Sequence, residues 1–328
     1  MKTASAATYS NPSFDTVSLL LKDFSHICYY TLYIAHSANM AGDPRALLRQ
    51  AETSLQKASG GFSFFGGKQE KYEAAAEQFI AAANAFRMQK MGKEAGEAFE
   101  KAASVQRQHL NEPDDEANTL TDAFKAYRKD DPEAAARCLD KAITHYCNKG
   151  NFRRAATHKQ NLGELYEVEL GDNMRAAAAY EEAAGWYESA LANKLWLKTA
   201  DLIALEGKDY YKAIELYEKV AKASIANNLM RWSVKEYLLK AGICQLCTGD
   251  QVGVNTALEK YREIDPSFQQ QREYALLVDL TAAVQDGDQE MFADKLFQFD
   301  QLSKLDKWKT TLLLRIKNTI EEGGEDFS

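Results

Sequence analysis

Few residues in this chain have the spacing that covalent or metal chemistry needs. Cys244-Gln-Leu-Cys247 has the separation of a redox pair or of half a zinc site, but no second pair accompanies it. The segment Tyr237 to Cys247 reads as an amphipathic helix that turns both thiols toward a core. Gly66-Gly67-Lys68 resembles the end of a phosphate loop, yet the motif's first glycine would be Phe62 and its Ser/Thr is Gln69, so the nucleotide reading fails twice. His109, His145 and His158 are scattered, without an HExxH or Ser/His/Asp context, and read as surface or capping residues. These positions support no enzyme, no cofactor and no metal.

Two other features have the chemistry of binding. The stretch Ser59-Gly-Gly-Phe-Ser-Phe-Phe-Gly-Gly67 displays Phe62, Phe64 and Phe65 between glycine pairs, with Lys57, Lys68 and Lys71 nearby. Exposed aromatics in a flexible loop cost free energy unless an apolar receiver takes them. One receiver is a membrane interface, where rings insert and lysines meet anionic lipid. The other is the underside of the first helical hairpin. The second feature is a series of basic pairs: Arg153 and Arg154 with Lys159, then Lys194 and Lys198, then Arg231 and Lys235. In stacked repeats, equivalent helices lie side by side, so these pairs form one basic stripe suited to an elongated acidic partner. Ordinary solvated surface is the alternative.

The elements that must position these residues are helices. Only 5 prolines and 18 glycines in 328 residues argue against many-turned β folds. A net charge of −8 argues against a nucleic-acid binder held by bulk charge. Four strings align without gaps: Glu94 to Ala103, Ala134 to Ile143, Arg175 to Ala184 and Lys212 to Ala221, with starts 40, 41 and 37 residues apart. They share small residues at the second and ninth places and a large apolar residue at the sixth: Phe99, Leu139, Tyr180 and Tyr217. Small residues let helices approach while the large one fills the space beside them. Helices are also predicted over 116–129, 152–170 and 191–206, with Gly150-Asn151, Gly171-Asp172 and Gly207-Lys-Asp209 as stop and start signals. Each period is one helical hairpin, so the fold is all-α: a tetratricopeptide-like twisted sheet of helical hairpins followed by a C-terminal helical bundle.

The predicted organisation has three parts. Residues 1–39 differ in character from the rest and read as a disordered extension or a gene-prediction artefact, with Met40 a possible start and Asp43-Pro44 opening the first helix. Residues 40–254 form the hairpin array, including loop 59–67, and residues 255–328 form the bundle and an acidic tail. Five scattered cysteines fit a reducing compartment. The stretch 16–35 is broken by Lys22 and Asp23 and lacks a basic leader, so a signal peptide is not expected and the location reads as cytoplasmic.

From Met40 to Ser328 the chain resembles the soluble NSF attachment proteins, the alpha type in particular. The resemblance is carried by loop 59–67, Gly150-Asn-Phe-Arg-Arg-Ala-Ala156, Asn193-Lys194-Leu-Trp-Leu-Lys198, Trp232 to Lys240 and, most specifically, Leu305 to Lys317 with the acidic end Glu-Asp-Phe-Ser. The double arginine resembles fungal members. This resemblance implies an adaptor that wraps the SNARE complex, a bundle of syntaxin-like and synaptobrevin-like helices, and recruits and stimulates the NSF hexamer for disassembly. It implies several copies per SNARE complex and peripheral membrane attachment in vesicle-mediated transport.

By the same resemblance, Arg153, Arg154, Lys159, Lys194, Lys198, Arg231, Lys235 and Arg272 face the SNARE bundle. Phe62, Phe64 and Phe65 contact membrane, while Asp286, Asp288, Glu321, Glu322, Glu325, Asp326 and Phe327 face NSF. Two positions depart from the family pattern: Thr157 stands where animal members carry lysine, and Phe327 where leucine is usual. The competing reading is a generic tetratricopeptide scaffold, or a gamma-type relative, for another acidic partner.

Overall fold

The computed structural model describes residues 43–60, 67–187 and 190–325, with side chains through 320. The expectations for residues 1–39, Phe62, Phe64, Phe65, Asp326 and Phe327 lie outside the described residues. The described elements are all helical and fall in two compact units, divided between Glu112 and Pro113.

The first unit contains α1 (Pro44–Gly60), α2 (Gly67–Met88) and α3 (Gly92–Val105), the last extended by a π-helical turn, Gln106–Leu110. Asp43 accepts a hydrogen bond from the Arg45 backbone N–H at 3.1 Å, with Pro44 at the first helical position. α2 packs between α1 and α3 over a core that includes Ala51, Ala58, Tyr72, Phe79 and Ala102. The π turn lays His109 flat on Tyr72, with centroids 4.1 Å apart.

The second unit contains α4 (Pro113–Tyr127), α5 (Pro132–Asn148), α6 (Phe152–Val168), α7 (Asn173–Trp186), α8 (Ala190–Glu206), α9 (Tyr210–Ile225), α10 (Val234–Cys247), α11 (Gln251–Ile264), α12 (Arg272–Gln285), α13 (Gln289–Leu302) and α14 (Lys307–Glu325). Each helix from α4 to α11 packs on the next, and short connections make neighbours antiparallel. Five junctions of this unit, at Gly150, Gly171, Gly207, Gly249 and Gly287, follow one chemical rule. Gly150 and Gly171 take φ of +72° and +65°, which only glycine adopts cheaply. The acceptor then caps the next helix: Asn151 receives the Arg154 N–H at 3.3 Å and Asp172 the Arg175 N–H at 2.9 Å.

The repeated columns are the inter-helix packing positions. Leu139, Tyr180 and Tyr217 are fully buried, as are the small partners Ala135, Ala142, Ala176, Ala183 and Ala213. Tyr180 illustrates why smallness matters, because its ring packs closely against Gly163 of α6. A Cβ there would meet Tyr180 Cε1 at 2.6 Å. The Tyr180 hydroxyl escapes the apolar interior by donating to Glu167 at 2.7 Å.

Ion pairs then separate the helices into two layers. Lys198 pairs with Glu167 at 2.6 Å, Lys240 with Asp201 at 2.7 Å and Lys235 with Glu273 at 2.9 Å, lacing α6, α8, α10 and α12 together. Arg175 pairs with Glu133 at 2.8 Å, Lys212 with Glu181 at 2.6 Å and Lys260 with Glu218 at 2.5 Å, lacing α5, α7, α9 and α11. Helices of one layer run parallel, so their N-termini share an edge. The last helix leaves this succession: α14 packs on α13 but also returns to α8 and α10.

Candidate functional site

The predicted basic residues collect at the N-terminal ends of one layer. Arg153 and Arg154 stand in the first turn of α6, Lys194 and Lys198 in the first half of α8, Lys235 at the start of α10 and Arg272 at the start of α12. Arg231 sits in a 3-10 turn, Arg231–Ser233, that leads into α10. Helix stability alone favours acids there, because the N-terminal end of a helix carries partial positive charge. α4 obeys that rule with Asp114, Asp115 and Glu116, and α10 and α12 carry Glu236 and Glu273, whereas α6 and α8 have no acid in the first turn. Stacking positive side chains on positive helix ends opposes folding electrostatics and favours an anionic partner.

The surroundings sort these cations into two kinds. Arg153, Lys194, Arg231 and Arg272 are exposed, and among the described residues their side chains form no ion pair. Arg154 hydrogen bonds to Asn118 at 2.6 Å and stacks 4.3 Å over the Tyr146 ring, so it is oriented but its charge is not neutralised. Lys198 and Lys235 carry the cross-helix ion pairs already described, and Lys198 also lies 4.6 Å over Tyr180.

Lys159 is not brought into the group. Its side chain is 14% exposed and turns toward the other layer, pairing with Glu182 of α7 at 2.9 Å and Asp140 of α5 at 3.6 Å. Burial alone would lower its pKa, but Glu182 and Asp140 outweigh that and leave it raised.

Apolar groups interleave with the cations, a feature not anticipated from charge spacing. A cleft of about 520 Å³ joins Arg153 to Phe152, Trp186, Tyr187 and Leu191. A second of about 470 Å³ joins Arg231 and Lys235 to Trp232, Asn228 and Gln271. Trp232 is 83% exposed and Leu229, beside it in the α9–α10 connection, is 90% exposed. Trp and Leu in a short connection between two helices were the available sequence signal. A surface of this mixture suits an amphipathic helical partner with acidic flanks better than a purely polar polyanion.

The predicted acidic site is only partly within view. Asp286 and Asp288 are exposed at the α12–α13 turn, where Asp288 also caps α13 through the Met291 N–H at 2.8 Å. Glu321, Glu322 and Glu325 lie on the last turns of α14, with side chains outside the described residues.

The residues considered first for chemistry have structural surroundings. Burial pushes the Cys244 thiol far up and the Cys247 thiol up to about 12, so neither supplies a thiolate at neutral pH. His158 is a correction to the surface reading: it is half-buried, stacked on Tyr146 with centroids 5.3 Å apart. Burial, then Arg154 and Lys125, bring its pKa down to about 4. Among the described residues no group of three or more His, Cys, Asp or Glu could hold a metal ion. No described helix is long and apolar enough to cross a membrane.

Paired helices in two laced layers, with cations free of ion pairs along one edge among the described residues, define a helical-repeat scaffold. A family model described as "Soluble NSF attachment protein, SNAP" matches residues 42–321, and the chain belongs to that family. It is 55% identical over 293 residues to a probable vesicular-fusion protein of Neurospora crassa, covering 88% of this chain and 100% of the relative. It is 38% identical to the alpha-soluble NSF attachment proteins of Saccharomyces cerevisiae and Homo sapiens, covering 87% and 86% of this chain and 99% and 96% of those relatives.

Proposed function

We propose that this chain is an adaptor that grips assembled SNARE complexes at membranes and recruits and stimulates the NSF ATPase to take them apart during vesicle fusion and protein transport. The observation that carries the reading is the edge of unpaired cations on parallel helix N-termini: Arg153, Lys194, Arg231 and Arg272, joined by oriented Arg154. Lys198 and Lys235 contribute from ion pairs that a stronger acidic surface can share. Lys159 serves the joint between layers instead.

Exposed ion pairs are each worth only about 0–1 kcal/mol, so the grip depends on many contacts and on several adaptor copies around one rod. The phenylalanines of loop 59–67 anchor the chain peripherally on the cytoplasmic face of a membrane, which raises its effective concentration near membrane-bound SNAREs. The acidic C-terminal end, including Asp286 and Asp288 and finishing in Asp326 and Phe327, meets NSF. The test is affinity for a soluble four-helix SNARE complex measured across a salt series. The reading requires a steep loss as salt rises, and a flatter dependence once Arg153, Lys194, Arg231 and Arg272 are changed to Ala. Salt-independent affinity would overturn it.

A further inference from the structure

The last helix is fastened to the SNARE-facing layer by contacts that bypass the intervening helices. Arg315 of α14 donates through Nη1 to the Ala204 carbonyl at 3.0 Å and to the Tyr210 hydroxyl at 3.2 Å, and through Nη2 to the Leu205 carbonyl. Those carbonyls belong to the last turn of α8, where backbone acceptors lack helical partners and the helix end is partly negative. Arg315 is therefore a charged C-terminal cap delivered from about 110 residues away in sequence.

About two turns toward the N-terminus of α14, Trp308 donates its indole N–H to the Asp201 carbonyl of α8 at 3.0 Å. The Asp201 carboxylate accepts from Tyr217 of α9 and pairs with Lys240 of α10, which lies 4.7 Å over the Trp308 ring. Lys309, with 7% of its side chain exposed, is clamped between Glu236 of α10 at 2.5 Å and Asp306 at 2.7 Å. Leu312, Leu313 and Ile316 bury the face between these polar contacts.

The two ends of this connection are the two proposed partner sites. α8 carries Lys194 and Lys198, and α14 runs into the acidic C-terminal residues. Besides α8, α14 packs directly on α10 and on α13, so α8 and α10 of the cation-bearing layer are both held by the last helix. Hydrogen bonds and buried charge contacts fix register as well as proximity, so the direct fastening resists sliding of α14 along α8.

We propose that α14 is a force-transmitting strut, with Trp308, Lys309 and Arg315 as positioning residues that pass NSF-generated movement to the SNARE-gripping helix. This rests on the adaptor reading above. It predicts that loosening the fastening separates ATP hydrolysis from SNARE disassembly without removing either partner.

The test compares full-length wild type with Arg315→Gln, Trp308→Phe and the conservative Arg315→Lys. Leu139→Ala serves as a control that truncates a fully buried residue of α5, remote from α14. SNARE-complex affinity, adaptor-stimulated ATP hydrolysis and SNARE complexes disassembled per ATP are each measured below the melting temperature of every variant. Arg315→Gln is expected to hold affinity and hydrolysis within about twofold while disassembly per ATP falls about tenfold, with Trp308→Phe intermediate and Arg315→Lys partly restored. Leu139→Ala should lower melting temperature without moving the ratio. An unchanged ratio in Arg315→Gln, or an equal fall in Leu139→Ala, would overturn the strut. If wild type binds neither SNARE complex nor NSF, the adaptor reading fails first and the strut falls with it.

Discussion

The division of the basic residues into free and structurally committed cations makes a sharp prediction for Lys194 and Lys159. Both are lysines predicted from sequence to face the same partner, so charge spacing alone gives them equal weight. Lys194 is exposed on α8 with no ion pair among the described residues. Lys194→Met should therefore change stability by no more than about 0.5 kcal/mol. It should weaken SNARE binding by up to about 1 kcal/mol per adaptor copy, roughly fivefold, compounded when several copies engage one complex.

Lys159 is 14% exposed and bridges Asp140 and Glu182, whose side chains are 60% and 53% exposed. Lys159→Met keeps the buried stem but removes the charge between two carboxylates. Because both acids can rehydrate, the cost falls below the 3–5 kcal/mol of a wholly buried broken pair, at about 1–2 kcal/mol. That corresponds to a melting temperature lower by about 3–6 °C for a unit of this size. The assay is thermal unfolding by circular dichroism alongside SNARE affinity at low salt. Equal destabilisation by the two substitutions, or a larger binding loss from Lys159→Met than from Lys194→Met, would refute the division.

Changing Phe62, Phe64 and Phe65 to Ser should weaken liposome binding and leave soluble SNARE binding intact; equal loss of both in a paired flotation and pull-down assay would make the loop structural. Gly163→Ala places a methyl group against the Tyr180 ring, so overpacking should cost about 1–3 kcal/mol, visible as a lower melting temperature. Replacing Tyr180 with Leu in the same chain should recover part of that loss. Burial, then Arg154 and Lys125, bring the folded pKa of His158 down to about 4, below the ordinary histidine range near 6.5, so the unfolded chain takes up its proton first on acidification. Its contribution is intact above pH 6.5 and is lost as pH falls toward 4, and His158→Gln should flatten melting temperature against pH across that window.

Much of the helical framework was legible in the sequence because close packing restricts residue type at fixed spacing. Tyr180 and Tyr217 need small neighbours such as Ala183 and Ala213, and those choices recur along the chain. Helix ends were legible for a similar reason, since Gly150-Asn151 and Gly171-Asp172 meet the demands of a left-handed stop and a capped start. The basic edge was legible as spacing but not as charge state, because Glu167, Glu182 and Glu273, which take up Lys198, Lys159 and Lys235, come from neighbouring helices. The half-buried setting of His158, in place of a surface or capping one, was not legible because the ring stacked on it, Tyr146, comes from the preceding helix. The return of α14 to α8 had no periodic signature: single donors, Trp308 and Arg315, meet backbone carbonyls that any sequence would supply.

The most direct test of the adaptor account is reconstitution with purified SNARE complex and NSF. The account predicts a ternary complex when ATP is bound but not hydrolysed, and release of separated SNARE proteins once hydrolysis proceeds. The Ala variant at Arg153, Lys194, Arg231 and Arg272 should remain folded and fail at the binding step. SNARE complexes that stay assembled with wild type while NSF hydrolyses ATP, or that come apart equally well with the four-residue variant, would contradict it.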